Sequence, residues 1–295
     1  MTMKKFSIAI VTPSYGPDFE RCWLLSQSID NFISPSITHY IIVPQRDLPL
    51  FRQIKRVNTE VITVESILPW WIKRIPVIKN GWLSAKNGLM SGWILQQIVK
   101  LCVALYAHED FYMFVDSDHA FIRPFDPQSF IKGEKVRLFR VDNQYNSKFF
   151  ETYQQHKIWV EVASKLLGIE NIQFPVHGYI GQLPTLRRDN LLKMYEHIEN
   201  VTKREWVAAV GSFRQIAEYI LYGVFVDYVL PDSGHYYESN RICHDYWLTK
   251  PMSNKELEKF FSEINSGDIA VHISSKAGIS AQQYEKLIKK VSLSL

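Results

Sequence analysis

Cysteine is scarce in this chain of 295 residues: Cys22, Cys102 and Cys243 stand far apart and no C-x-x-C pair occurs. A zinc site or a disulfide framework is therefore not expected, and free thiols in a reducing cytoplasm are the simplest account. Long apolar runs are missing too, since no stretch approaches the roughly 18 residues of a membrane span. The run 6–11 that follows Met1–Lys5 ends at Thr12-Pro13-Ser14-Tyr15-Gly16, which is too brief for an export signal. The net charge of +4 comes without a long basic run. That argues against nucleic acid and favours an anionic small molecule, or a weak peripheral contact at the inner face of a membrane. Repeats, low-complexity segments and clear linkers are also absent. The expectation is a soluble cytoplasmic protein.

What the chain does have is core-forming and aromatic residues. Hydrophobic residues make up 46% and charged ones 22%, the balance of a globular protein rather than a disordered one. The length suffices for one large α/β domain or two small ones. Aromatic content is high at 14%, with 8 Trp and 15 Tyr. Aromatics beyond what a core needs often line sites that stack on bases or sugar rings.

Along the chain, apolar runs predict strands at 6–11, 38–43, 61–64, 111–115, 136–141 and 269–273, and helical patterns fall at 19–32, from Gly92, at 153–167, at 186–199 and around 218–223. Alternating strands and helices imply a mostly parallel sheet flanked by helices. The aromatic and basic stretch from Pro69 to Gly88 reads as a long irregular loop, and such loops are usually functional or mobile. In the helix that begins at Gly92, the residues Trp93, Gln97 and Lys100 are spaced to share one face.

The segment Phe114-Val115-Asp116-Ser117-Asp118-His119 carries the sharpest chemical signal. A buried parallel strand reads as a continuous apolar run, and ligands of open α/β sheets lie beyond the carboxyl ends of such strands. Two carboxylates there, separated by a small residue, make an oxygen-rich corner suited to a hard divalent ion. The same residues also suit a solvated turn. On these residues alone both readings stand.

Several pieces together resemble the GT-A glycosyltransferases, which use nucleotide-sugar donors. They are an early strand ending in Thr12-Pro13-Ser14-Tyr15, the D-x-D of Asp116 and Asp118, and a late His272 after an apolar strand. Trp93-x-x-Gln96-Gln97-x-x-Lys100-Leu101 and Glu218-Tyr219-x-x-Tyr222-Gly223 are similar to segments of bacterial members found among polysaccharide-related genes. The resemblance covers most of the chain. It implies one GT-A-like α/β domain over residues 1–295, with a nucleotide-binding half at 1–130 and an acceptor-binding half at 131–295.

Carried onto this sequence, the resemblance implies a Mn2+ or Mg2+ ion held by Asp116, Asp118 and His272. Such an ion stabilises the leaving diphosphate as a Lewis acid. It further implies donor binding by Thr12, Ser14, Tyr15, Gln97, Lys100, Asp116, His177, Gly178 and Lys276, with Tyr15 able to stack on the base. The donor would be a UDP-sugar and the acceptor a saccharide or glycoconjugate. Gly178 and Gly181 would let the backbone approach a ligand closely. Trp70, Trp71 and Trp82 suit an acceptor-binding flap and equally a packed surface loop. Glu218, in the apolar stretch Ile216–Gly223, is the expected base of an inverting reaction, because an unpaired carboxylate there would be costly to bury. A wet-face glutamate, or one paired with Arg214, fits the same spacing.

Two other functions fit parts of the pattern. Phosphatases of the haloacid dehalogenase type also place D-x-D after an apolar strand, but near the start of the chain, whereas 115 residues precede Asp116 here. A nucleotide-sugar-binding protein without catalysis is the second.

Overall fold

The computed structural model describes residues 6–76, 78 and 81–293. Met1–Lys5, which precede the first apolar run, lie outside the described residues, as do three positions in the 69–88 stretch. The chain divides into two compact units whose segments interleave. One comprises residues 1–7, 64–112 and 130–239, the other residues 8–63, 113–129 and 240–295.

The second unit contains a mostly parallel sheet. Strand Ile8–Pro13 is buried at every position and pairs in parallel with Thr38–Val43, which pairs in parallel with Thr59–Thr63. Continuous apolar strands of this kind are what a sheet covered on both faces requires. Beyond the Phe111–Phe114 strand, Val115 N–H donates to the Val11 carbonyl (3.0 Å), so the D-x-D emerges beside the first strand. Helix Phe19–Phe32 covers one side: Cys22 packs with Ile41, Val43, Leu48 and Phe51. Leu24, on the same helix, joins a second core with Ala120, Ile122, Val271, Phe260 and Tyr284.

A smaller three-stranded sheet in this unit is built by the return of the chain. His119–Phe121 runs antiparallel to Ala270–Ile273, which runs parallel to Cys243–Tyr246. Ser28 Oγ, on the covering helix, accepts the Phe121 N–H (2.9 Å) and ties helix to sheet.

In the other unit the helices Gly92–Tyr106, Gln154–Leu167, Arg188–Thr202 and Glu218–Tyr228 pack on one another. Gly223 lets the last of these helices pack on Tyr179 in the segment between the strands Val176–Gly178 and Thr185–Arg187, since a Cβ there would overlap its ring. Lys135–Phe139 pairs in parallel with His235–Glu238 and antiparallel with Ile131–Lys132.

The 69–88 stretch corrects the expected irregular loop. Ile72–Arg74, Trp82–Ser84 and Gly88–Met90 form an antiparallel meander. Asn87-Gly88, with Gly88 at φ 75°, closes its second hairpin. Trp71 and Trp82 are buried in it, and only Trp70 stands out to solvent.

Candidate active site

Strand register explains how the D-x-D acquires its neighbours. His119 stands opposite His272 in the antiparallel pair, and Asp245 stands beside His272 in the parallel one. Three polar side chains from three distant parts of the sequence therefore form one row across the small sheet. The D-x-D leads directly into that row.

Asp118 sits at its end. Its Oδ1 is 3.5 Å from His119 Nδ1 and its Oδ2 is 3.5 Å from His272 Nε2. Both distances are ion-pair contacts, longer than a normal hydrogen bond. Ser275 N–H donates to Asp118 Oδ2 (3.0 Å), and Ile273 N–H donates to the Asp118 carbonyl (3.1 Å). Across His272, Nδ1 is 3.9 Å from Asp245 Oδ1, and Arg241 is 4.0 Å from the other oxygen of Asp245. The His119 and His272 rings lie 4.7 Å apart, and the half-exposed Trp247 covers His272 at 4.1 Å.

Electrostatics follow from this crowding. Burial pushes the Asp118 carboxyl up, but the His119 and His272 imidazoles beside it outweigh that and hold the group well below the ordinary carboxylate range. Burial works against the charged form of His119, while Asp118, Asp116 and Asp245 raise its pKa above the usual value. Asp245 is raised, chiefly by burial, against the pull of His272 and His119. Asp18 is raised as well, first by burial and further by Asp118 and Asp116, although Arg21 lies 3.4 Å away. Four carboxylates thus concentrate negative charge in one place.

The residues' fit to a divalent ion rests on atoms as well as charge. Asp118 Oδ1, Asp245 Oδ1, His119 Nε2 and His272 Nδ1 are buried without a hydrogen-bond partner. Such orphaned groups are rare in folded proteins and call for an explanation. Carboxylate oxygens suit magnesium or manganese, whereas imidazole nitrogen suits zinc, copper, iron or nickel. As the side chains stand, no group of three or more His, Cys, Asp or Glu converges as a metal cage among the described residues.

The other expected donor-binding residues of this unit divide by burial. Tyr15 is partly exposed, and Lys276 is exposed one residue after the Ser275 amide that holds Asp118. Thr12 is fully buried: its hydroxyl donates to the Val115 carbonyl (2.8 Å) and accepts from His39 Nε2 (2.9 Å). With both roles used, that side chain fastens the strand end instead of facing a ligand. Ser14 donates its backbone N–H to Ile42 O (2.9 Å), and its hydroxyl lies against the Cys22 thiol, whose pKa burial pushes up to about 12.

The remaining expected residues lie in the other unit. Trp93, Gln97 and Lys100 do share a helix face, and it meets residues 216–219. Trp93 Nε1 donates to Ile216 O (3.1 Å), Gln97 Oε1 accepts from Glu218 N–H (3.4 Å), and Lys100 Nζ lies 3.0 Å from Glu218 Oε1. Lys100 also donates to Tyr219 Oη (2.9 Å) and stands over its ring. Glu218 is therefore a buried ion-pair partner of Lys100, and neither the wet-face position nor the Arg214 pair describes it. His177 accepts from Asn143 N–H (3.1 Å) and faces Asp142 (3.4 Å). Gly178 and Gly181 give close approach to the side chains of Gln144 and Phe139, so protein atoms occupy the room that a ligand was expected to use.

Sequence reasoning missed His119, Asp245, Trp247, Asp18 and Arg21. The signal for His119 was its place directly after the acid pair. Asp245 and Trp247 gave none, because only strand register brings residues 245–247 to His272.

The chain belongs to a family described as of unknown function, DUF6492, which it matches over residues 5–294. No curated protein matches it in sequence. Among solved structures it is similar to mouse xyloside xylosyltransferase 1 (TM-score 0.45, 8% identity, 93% of this chain and 99% of that one). An active-site mutant of LgtC is similar at TM-score 0.47 and 13% identity, over 97% of this chain and 96% of that one. WbbM, a bifunctional glycosyltransferase, is similar at TM-score 0.48 and 9% identity, over 98% of this chain and 50% of that one.

Proposed function

We propose that the chain is a metal-dependent glycosyltransferase that moves a sugar from a nucleotide-sugar donor, a UDP-sugar, to a saccharide or glycoconjugate acceptor in polysaccharide biosynthesis. The observation that carries this reading is Asp118 at a strand end, held between His119 and His272 and the Ser275 amide, in a patch where buried donor atoms lack partners.

Asp116, Asp118 and His272 would hold Mn2+ or Mg2+. When bound, the ion supplies Lewis-acid stabilisation to the departing nucleoside diphosphate. The protein's own residues have separable tasks. Tyr15, exposed at the end of the first strand, is suited to stack on the base. Lys276 would place its ammonium against a phosphate oxygen. Trp247, over His272, offers an apolar face that keeps water from the imidazole. For an inverting reaction Glu218 is the assigned base, taking the proton of the acceptor hydroxyl. Its pairing with Lys100 gives it a sufficient structural task as well, so product stereochemistry is the test of that assignment. The working location is the cytoplasm at the inner membrane face. No helix among the described residues is long and apolar enough to cross a membrane.

Manganese titration followed by calorimetry tests the metal site without requiring an acceptor. Wild type should bind, and Asp118→Asn and His272→Ala should each weaken binding by roughly 10- to 100-fold. Nucleotide-sugar thermal shifts in manganese then identify the donor. Release of nucleoside diphosphate during turnover supports transfer, release of inorganic phosphate supports a phosphatase, and binding without turnover supports a binding protein.

A further inference from the structure

The meander of residues 72–90 has two unlike faces. Ile72, Trp82 and Met90 point inward and are buried. On the outer face Lys73 stands opposite Leu83, and Leu83 stands opposite Leu89, so one row crosses all three strands. Leu83 is 49% exposed and Leu89 66%, and Trp70, just ahead of the first strand, is 79% exposed. Ile78, between the first two strands, is exposed as well. Single exposed apolar residues are ordinary, but two leucines in cross-strand register with a tryptophan ahead of the same hairpin pair form a patch.

The segment that carries it has side chains of one charge sign, although Lys86 and Lys100 are paired with Glu205 and Glu218. Residues 66–108 contain five Lys or Arg and no Asp or Glu. Lys86 is engaged inside the unit, 2.5 Å from Glu205 and over the Trp71 ring. Among the described residues Lys73 and Arg74 meet no carboxylate. The aliphatic stem of Lys73 can lie along the apolar face while its charged head reaches outward. Arg74 stands opposite Trp82 in the inward row and is only partly exposed.

We propose that this face docks the protein on a bilayer that contains anionic lipid. The inference is independent of the proposed reaction. Tryptophan and leucine with a cationic border are the composition of interfacial segments, in which apolar side chains enter the headgroup boundary and cations meet lipid phosphates. A second copy of the chain fits less well, because among the described residues this face offers no carboxylate to meet the Lys73 ammonium.

Vesicle flotation of the full chain tests this, with phosphatidylcholine vesicles made with and without phosphatidylglycerol. Wild type should float with the anionic vesicles, and added salt should release it. At about fivefold per cation near such a surface, Lys73→Glu should weaken binding by at least roughly fivefold. Leu83→Ser with Leu89→Ser should abolish it, and since both side chains already face solvent, the thermal unfolding midpoint should hold. Wild type that ignores anionic vesicles would overturn the proposal. So would variants that float like wild type, or a concentration-dependent dimer lost in the leucine variant without any vesicle binding.

Discussion

The Lys100–Glu218 pair gives the most exacting test of how this fold is held together. Both side chains are about 95% shielded from solvent, with Nζ and Oε1 3.0 Å apart and the Tyr219 hydroxyl 2.9 Å from the same nitrogen. Glu218→Gln keeps the volume and one acceptor but leaves the ammonium without its counter-charge. Breaking a buried pair by removing one partner costs on the order of 3–5 kcal/mol. Because the glutamine can still accept from Lys100, the lower figure of about 3 kcal/mol applies. At roughly 2–4 °C per kcal/mol for chains of this size class, the thermal midpoint should fall by about 6–12 °C. Replacing both partners with apolar residues, Lys100→Met with Glu218→Leu, should recover most of that loss, since well-packed apolar substitutes for buried pairs are often neutral. Urea unfolding at neutral pH, with the double-mutant cycle closed by Lys100→Met alone and Glu218→Leu alone, measures the coupling. A single Gln variant as stable as wild type, or single losses that simply add in the double variant, would refute the argument. Activity assays on Glu218→Gln should be run well below its lowered midpoint, so that lost chemistry is separated from lost fold.

Three further outcomes follow from named contacts. Burial holds His39 at about 3, so the folded protein keeps it neutral while the unfolded chain binds a proton below about 6.5; its stabilising share is therefore complete above that pH and drains away as pH falls toward 3, by about 1.4 kcal/mol per pH unit, and His39→Gln should flatten the slope seen by urea unfolding between these limits. Thr12→Val keeps the shape but strands the Val115 carbonyl and His39 Nε2, so it should cost about 1–3 kcal/mol in the same assay, whereas a neutral result would mean that the two bonds contribute nothing net. Gly223→Ala places a methyl group inside the Tyr179 ring and should destabilise by about 1–3 kcal/mol, read as a lowered thermal midpoint.

The elements that could be read from the residues were those with strong local patterns. The strand Thr38–Val43 and the helix Phe19–Phe32 fall where they were expected, because a continuous apolar run and a helical stripe are properties of a few consecutive residues. The same holds for the Trp93, Gln97 and Lys100 face, since helical periodicity alone dictates it. The meander at 72–90 was hidden because its strands are only three residues long, too short for alternation to stand out from the surrounding tryptophans.

Sequence by itself determined that acids would stand where an apolar strand ends, and that a histidine would follow a later one. It could not determine what surrounds them. Asp118 meets His272 across 154 positions of chain, and Asp245 meets His272 only because two strands run parallel in one register. A one-residue slip would turn those side chains to the opposite face. The partner of Glu218 was decided in the same way: Arg214 was near in sequence, but helix packing brought Lys100, 118 positions earlier, to 3.0 Å. Local patterns depend on neighbours along the chain, whereas ion pairs, orphaned polar atoms and burial depend on which distant segments come to lie side by side.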